Sequence, residues 1–189
     1  MKEVEILVEI LDDKRKVLEI LKKFDSKGIK KTTDTYFYDP LRKNLSPSSS
    51  GRLKECFRIR KKGDKSYMAY KIDNFNEDKW LYSDEHEIEI SDFKITEKII
   101  EHLNLKPLVK IENEKHIFLT GKYEIVLEDV KDLGLFLEVE ETTNDSRDTE
   151  VVKKEIWDFI KSLKIKVSEE LNLGKPELML RKIKGKKCK

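Results

Sequence analysis

The sequence predicts an α+β fold built on an antiparallel sheet of about eight strands with three amphipathic helices, and three observations lead there. The first is a strict alternation of apolar and charged residues in several short segments, the period of a strand that hides one face. The second is the helical spacing of apolar residues in three separate stretches. The third is the placing of turn residues between successive strand patterns, with no linker or internal repeat dividing the 189 residues. That length and a hydrophobic content of 38% suffice for one core. We therefore expect one domain over 1–183, followed by a disordered basic tail over 184–189, which carries like charge and nothing to bury.

In chain order, "KEVEILVEI" is a strand in which Val4, Ile6, Val8 and Ile10 alternate with Glu3, Glu5, Leu7 and Glu9. "DDKRKVLEILKKF" places Val17, Leu18, Leu21 and Phe24 on one helical side, with Asp12 and Asp13 where carboxylates suit a helix start. "KKTTDTYFYDP" is rich in strand formers and ends at Asp39-Pro40, and "LRKNLSPSSSGRL" is a loop. "KECFRIRKK" and "SYMAYKID" form a hairpin across a Gly-Asp turn, and "WLYSDEHEIEI" is a further strand. A second helix follows in "SDFKITEKIIEHLNL". Three strands, "VKIENEKHIFL", "KYEIVLEDV" and "LGLFLEVEE", precede a third helix in "TEVVKKEIWDFIKSLKI" and a last helical turn or two in "PELMLRKIK".

Composition narrows the function classes. Charged residues make up 41%, yet 40 basic against 38 acidic leave a net charge of +2, too little excess for a general polyanion binder. Two cysteines, Cys56 and Cys188, fit a reducing compartment, and no apolar run is long enough to span a bilayer, so a cytoplasmic location is expected. His86, His102 and His116 lack metal-ligand spacing and read as surface or packing residues; Ser48 to Ser50 have no base placed beside them. Cys56 shares the parity of Arg58 but reads as a structural thiol.

The alternation recurs with both signs. Glu85, Glu87 and Glu89 repeat the acidic pattern of the first strand, as do Glu138 and Glu140; Arg58, Arg60 and Lys62 form a basic counterpart, with Lys71 on the paired strand and Lys115 on a later one. Periodicity leaves two arrangements: an open sheet with its charges in water, or a closed barrel with helices outside and charges around a wet lumen. In the barrel, clustered glutamates suit Mg²⁺ or Mn²⁺ and clustered arginines fork onto phosphate, so the lumen would take a triphosphate as its metal complex.

These residues resemble the CYTH, or triphosphate tunnel metalloenzyme, superfamily, which includes class IV adenylate cyclases, thiamine triphosphatases and inorganic triphosphatases. The family's E-x-E-x-K is matched by Glu3 and Glu5, with Leu7 in the lysine position. Its D-x-Y-F is matched by Asp34, Tyr36 and Phe37, its L-R-I-R by Arg58 and Arg60 in "FRIR", and its Y-K by Tyr70-Lys71. "EHEIEI" and "EDVKDLGLFLEVE" resemble its two later acidic blocks, with Glu128 in an aspartate position. Its K-x-R pair meets Asn113 and Lys115, and its S-Y-x-x-L looks like Lys175 to Met179.

The resemblance implies a closed eight-stranded antiparallel barrel with helices outside. It implies Glu3, Glu5, Glu87, Glu138 and Glu140 around Mg²⁺ or Mn²⁺, with Glu85 and Glu89 on the same acidic strand as Glu87. Arg58, Arg60, Lys71 and Lys115 would hold phosphates, and Glu5, Lys71 and Arg60 would take part in the reaction. The order of segments looks most like the class IV adenylate cyclase branch, converting ATP to cyclic AMP and pyrophosphate; triphosphate hydrolysis is the alternative. Leu7 adds a third reading, a nucleotide or polyphosphate binder impaired in turnover, and solvated faces with no small ligand are a fourth. The implied partner is a nucleoside or inorganic triphosphate, with no membrane or specific nucleic acid, and a homodimer is left open.

Overall fold

Strands with one apolar and one charged face close on themselves here, so that the two faces become the outside and inside of a barrel. In the computed structural model, which describes residues 2–77, 79–143 and 147–187, the strands are β1 (Lys2–Glu9), β2 (Asp25–Tyr38), β3 (Glu55–Lys62), β4 (Lys65–Asn76), β5 (Lys79–Ile90), β6 (Lys106–Leu119), β7 (Glu124–Val130) and β8 (Gly134–Thr143). They join antiparallel in the closed order β1-β5-β4-β3-β2-β6-β7-β8. Four helices accompany them: α1 (Lys14–Leu21), α2 (Phe93–His102), α3 (Thr149–Ser162) and α4 (Lys175–Lys187). Among the described residues no helix is long and apolar enough to cross a membrane.

The main core lies outside the barrel. Val4, Ile6 and Val8 of β1, Ile125 and Leu127 of β7, and Leu137 and Val139 of β8 pack against Val17 and Leu21 of α1 and Val152, Ile156 and Ile160 of α3. Each of the first three helices starts where an aspartate side chain, Asp13, Asp92 or Asp148, accepts a hydrogen bond from an otherwise unpaired helical N–H. A smaller cluster of Phe37, Phe57 and Ile59 takes Ile100 from α2. Gly63, at a positive φ of 61° that costs glycine little, makes the tight β3–β4 hairpin expected at Gly-Asp.

Two segments differ from expectation. Strand β2 starts at Asp25, several residues earlier than its composition suggests, because it pairs along β6 from Asp25↔Leu119 to Tyr38↔Lys106. Its exposed polar half has no hydrophobic pattern to announce it. Helix α4 runs to Lys187, through residues expected to be disordered: once nucleated, a helix gains a hydrogen bond per added residue, and lysine propagates it well. Cys188 and Lys189 lie outside the described residues.

The inward face is not wholly polar. Leu7 shares the parity of Glu3 and Glu5, and it packs with Tyr36, Val109, Ile111, Val130 and Phe136, all on lumen-facing positions of their strands, and with Met179 from α4. Leu7 is only 2% exposed. The position where the resemblance expects a lysine is thus part of an apolar plug. Replacing Leu7 by Ala should cost about 3 kcal/mol, the scale of a cavity opened in a packed cluster, in a urea denaturation; unchanged stability would contradict the plug.

Candidate active site

The lumen holds a cavity of about 650 Å³, a volume in the range of small-ligand sites. Among the described residues its lining includes nine carboxylate side chains and six lysines or arginines. Register assembles them: β1 and β8 pair Glu5 with Glu140 and Leu7 with Glu138, and β4 and β5 pair Lys71 with Glu85.

On one wall, carboxylate oxygens of Glu3, Glu5 and Glu140 lie within 4.8 Å of one another. Burial is the main reason that Glu5 and Glu3 are both pushed up to about 8; Glu138 and Glu140 repel a charge on Glu5, and Glu140 and Glu85 repel one on Glu3. Such a group resists full ionisation without a cation. Glu138 behaves oppositely. Its burial is outweighed by Lys175 and Lys115, and its carboxyl is held well below the usual range.

The basic wall is held by a second set of carboxylates. The Arg60 guanidinium forks onto Asp34, Nε to Oδ1 and Nη2 to Oδ2 both at 2.7 Å, and this pairing overcomes burial to hold Asp34 at about 2. Arg58 Nη2 reaches Glu85 at 3.0 Å and Glu87 at 3.3 Å, while its Nε is buried with no hydrogen-bond partner. Lys71 Nζ lies 2.8 Å from Glu3 and 2.6 Å from Glu85; Lys71 and Arg58 together bring buried Glu85 to about 2. Lys115 Nζ sits 2.5 Å from Glu128, which is fully shielded from solvent. Burial still lowers the Lys115 pKa, an effect Glu128 offsets only in part.

All four expected phosphate ligands, Arg58, Arg60, Lys71 and Lys115, line the cavity. Of the five expected metal ligands, Glu3, Glu5 and Glu140 converge, Glu138 is paired with Lys175, and Glu87, on neighbouring β5, lies beside Arg58. Glu85 belongs to the basic wall, whereas Glu89 pairs with exposed Lys65 at 2.8 Å. Asn113 accepts a hydrogen bond from the Thr32 hydroxyl and donates one to Glu128 at 3.3 Å. Cys56 and His86 also border the cavity; Cys56 packs against the apolar cluster around Leu7, and burial pushes its thiol up, which keeps it protonated. His116 pairs with Glu114 at 3.2 Å.

Sequence reading gave no role to three residues that matter here: Asp34 and Glu128, which anchor cations from behind, and Lys175, whose ammonium reaches Glu138 and, at 3.2 Å, Glu128. One signal for Lys175 was present, since a lysine opening a helix opposes the helix dipole and must find its anion elsewhere. Near it, Glu177 accepts N–H bonds from Leu53 at 2.8 Å and Gly174 at 2.6 Å, fixing the start of α4; burial raises its carboxyl to about 7.

A family model described as CYTH domain matches residues 1–171. The chain belongs to the CYTH domain family. A Methanocaldococcus jannaschii relative, named provisionally as an adenylate cyclase, is 34% identical over 170 residues, covering 87% of this chain and 91% of that one. A solved Pyrococcus horikoshii structure matches with a TM-score of 0.79 at 20% identity, over 95% of this chain and 99% of that chain. A Hippeastrum protein, described as a provisional adenylyl cyclase with a dominant triphosphatase activity, matches with a TM-score of 0.63 at 16% identity, over 96% of each chain. At such identities the two structures speak for the shared CYTH fold.

The raised carboxyls predict a pH dependence. Glu3 and Glu5 (about 8), Glu177 (about 7) and Asp73 (about 6, raised by burial) all have folded values above their unfolded ones, so the fold favours their protonated forms. Their contribution is complete at low pH and is lost as pH rises through the folded values. Thermal melts in chelator should therefore show metal-free stability falling from about pH 5 to about pH 8, with a shallower fall in Glu5→Gln. A flat or rising wild-type profile would contradict the assignment.

Proposed function

We propose that the lumen binds a triphosphate as its divalent-metal complex and hydrolyses it, with Mg²⁺ or Mn²⁺ as the cation. The observation that carries this reading is the gathering of two kinds of group around one cavity: a crowded Glu3, Glu5 and Glu140 cluster together with arginines and lysines from neighbouring strands. The family context agrees, since CYTH proteins generally use divalent metal ions and bind triphosphate substrates.

The donor set fits a hard cation. Three carboxylates converge, and two of them resist ionisation because they are buried beside other carboxylates, which suits an oxygen-seeking ion. Glu3, Glu5 and Glu140 would hold it, with Glu138 adjoining; Glu87 would serve only after leaving Arg58. When bound, the ion neutralises these carboxylates and draws charge from phosphate oxygens. The remaining work belongs to the chain. Arg58 offers an unsatisfied Nε donor, and Arg60, kept flat and oriented by Asp34, presents its outer N–H groups. Lys71, held beside Glu3 and Glu5, would meet phosphate oxygens, and Glu5 would orient the attacking water. Charge spread over phosphoryl oxygens in the transition state is what such a preorganised clamp stabilises.

Cyclisation of ATP is the second reading, supported by the provisional name of the Methanocaldococcus jannaschii relative. It uses the same clamp with the ribose 3′-hydroxyl as nucleophile and pyrophosphate as leaving group. The test is incubation with ATP and, separately, inorganic triphosphate, in Mg²⁺ or Mn²⁺, with products resolved by chromatography. Orthophosphate release is expected, falling about 100-fold or more in Arg58→Ala, the scale for losing a transition-state donor. Cyclic AMP with pyrophosphate would replace hydrolysis by cyclisation, tight binding without product would make the chain a sensor, and no binding of either compound would overturn the site.

A further inference from the structure

Lys175 is carried into the lumen by the first turn of α4, where its ammonium is largely buried, with 13% side-chain exposure, against Glu138 and Glu128. Glu138 stands opposite Leu7 in the β1–β8 register, so Leu7 brings no charge to it. It is also the neighbouring charge that most disfavours ionisation of Glu5. Lys175 therefore occupies the carboxylate that adjoins the Glu3, Glu5 and Glu140 group. Behind it, fully buried Glu128 touches both Lys175 at 3.2 Å and Lys115 at 2.5 Å. Two ammoniums thus share two carboxylates, Glu128 and Glu138, and any cation that draws Glu138 away leaves two positive charges on one carboxylate.

We propose that Lys175 is a displaceable internal cation, holding Glu138 in the metal-free protein and turning to the substrate phosphates once a divalent ion engages the carboxylates. This rests on the reading of the lumen as a metal–triphosphate site. The movement is confined to the side chain: Glu177 pins the start of α4 to Leu53 and Gly174, and Met179 fixes the next turn in the apolar plug. A lysine suits the task because it is a compact charge on a flexible stem, able to exchange one oxygen for another without a fixed fork geometry. The same residue competes with the metal and assists the substrate, and those two effects have opposite signs on mutation.

The test measures Mn²⁺ binding alone, by electron paramagnetic resonance, and binding of the imido analogue of inorganic triphosphate at saturating Mn²⁺, by calorimetry. Lys175→Met should bind Mn²⁺ about tenfold more tightly and the analogue about tenfold more weakly, the scale of one charge-assisted hydrogen bond. Lys175→Arg should restore analogue affinity to within about threefold of wild type, a difference of under 1 kcal/mol. Should the methionine variant fail to fold, Lys175→Gln, which retains a hydrogen-bond donor for Glu138, must show the same two signs. Parallel loss of both affinities would mean that Lys175 only supports the structure and would overturn the proposal, as would unchanged values. Failure of the wild type to bind the analogue would overturn the functional reading itself, whereas a binding wild type with unshifted variants would overturn the role of Lys175 alone.

Discussion

The structure depends on turning charge inward and surviving it. Burying an ion costs several kcal/mol unless a partner and further hydrogen bonds replace water, so a barrel lined by arginines, lysines and glutamates holds together only as a lattice of pairs. Arg60 has Asp34, Lys71 has Glu3 and Glu85, Lys115 has Glu128, and Lys175 has Glu138. The ordinary hydrophobic core sits elsewhere, between the outer face of β1, β7 and β8 and helices α1 and α3. This separation frees the lumen for chemistry: the outside carries the packing while the inside carries the charge.

The lattice is not balanced. Carboxylates outnumber lysines and arginines in the cavity lining, and the surplus is concentrated at Glu3, Glu5 and Glu140. The lumen shows this surplus in two ways: burial and neighbouring carboxylates push the Glu3 and Glu5 carboxyls up to about 8, and Lys175 lies against Glu138. Both features favour positive charge where a divalent cation would bring more of it. The basic wall shows the converse at Arg58, where a buried donor has no partner. A crowded carboxylate group on β1 and β8 and an unpaired buried donor on β3 are the two features that the proposed metal–triphosphate complex would satisfy together.

Much of this was legible in the sequence because period-2 patterning is local. Glu3 and Glu5 against Val4 and Ile6, or Arg58 and Arg60 against Phe57 and Ile59, declare two faces within a few residues. Which face turns inward is a question of closure, and closure depends on β1 meeting both β5 and β8, pairings that no local pattern encodes. For the same reason Asp34 and Glu128 gained no role from spacing: their partners lie on neighbouring strands, 26 residues away for Arg60 and 13 for Lys115. Lys175 is further from legibility, since its contacts with Glu128 and Glu138 span 47 and 37 residues. Leu7 was legible as a departure, but its meaning came from Met179, Tyr36 and Phe136 around it.

The central claim is that the inward carboxylates hold a divalent cation facing a triphosphate. Anomalous diffraction from crystals grown with Mn²⁺ and the imido analogue of inorganic triphosphate tests it most directly. The account predicts a manganese peak inside the barrel, liganded by Glu3, Glu5 and Glu140, with phosphate density against Arg58, Arg60 and Lys71. Manganese confined to the outer surface, with the lumen's ion pairs intact and no phosphate among them, would contradict it.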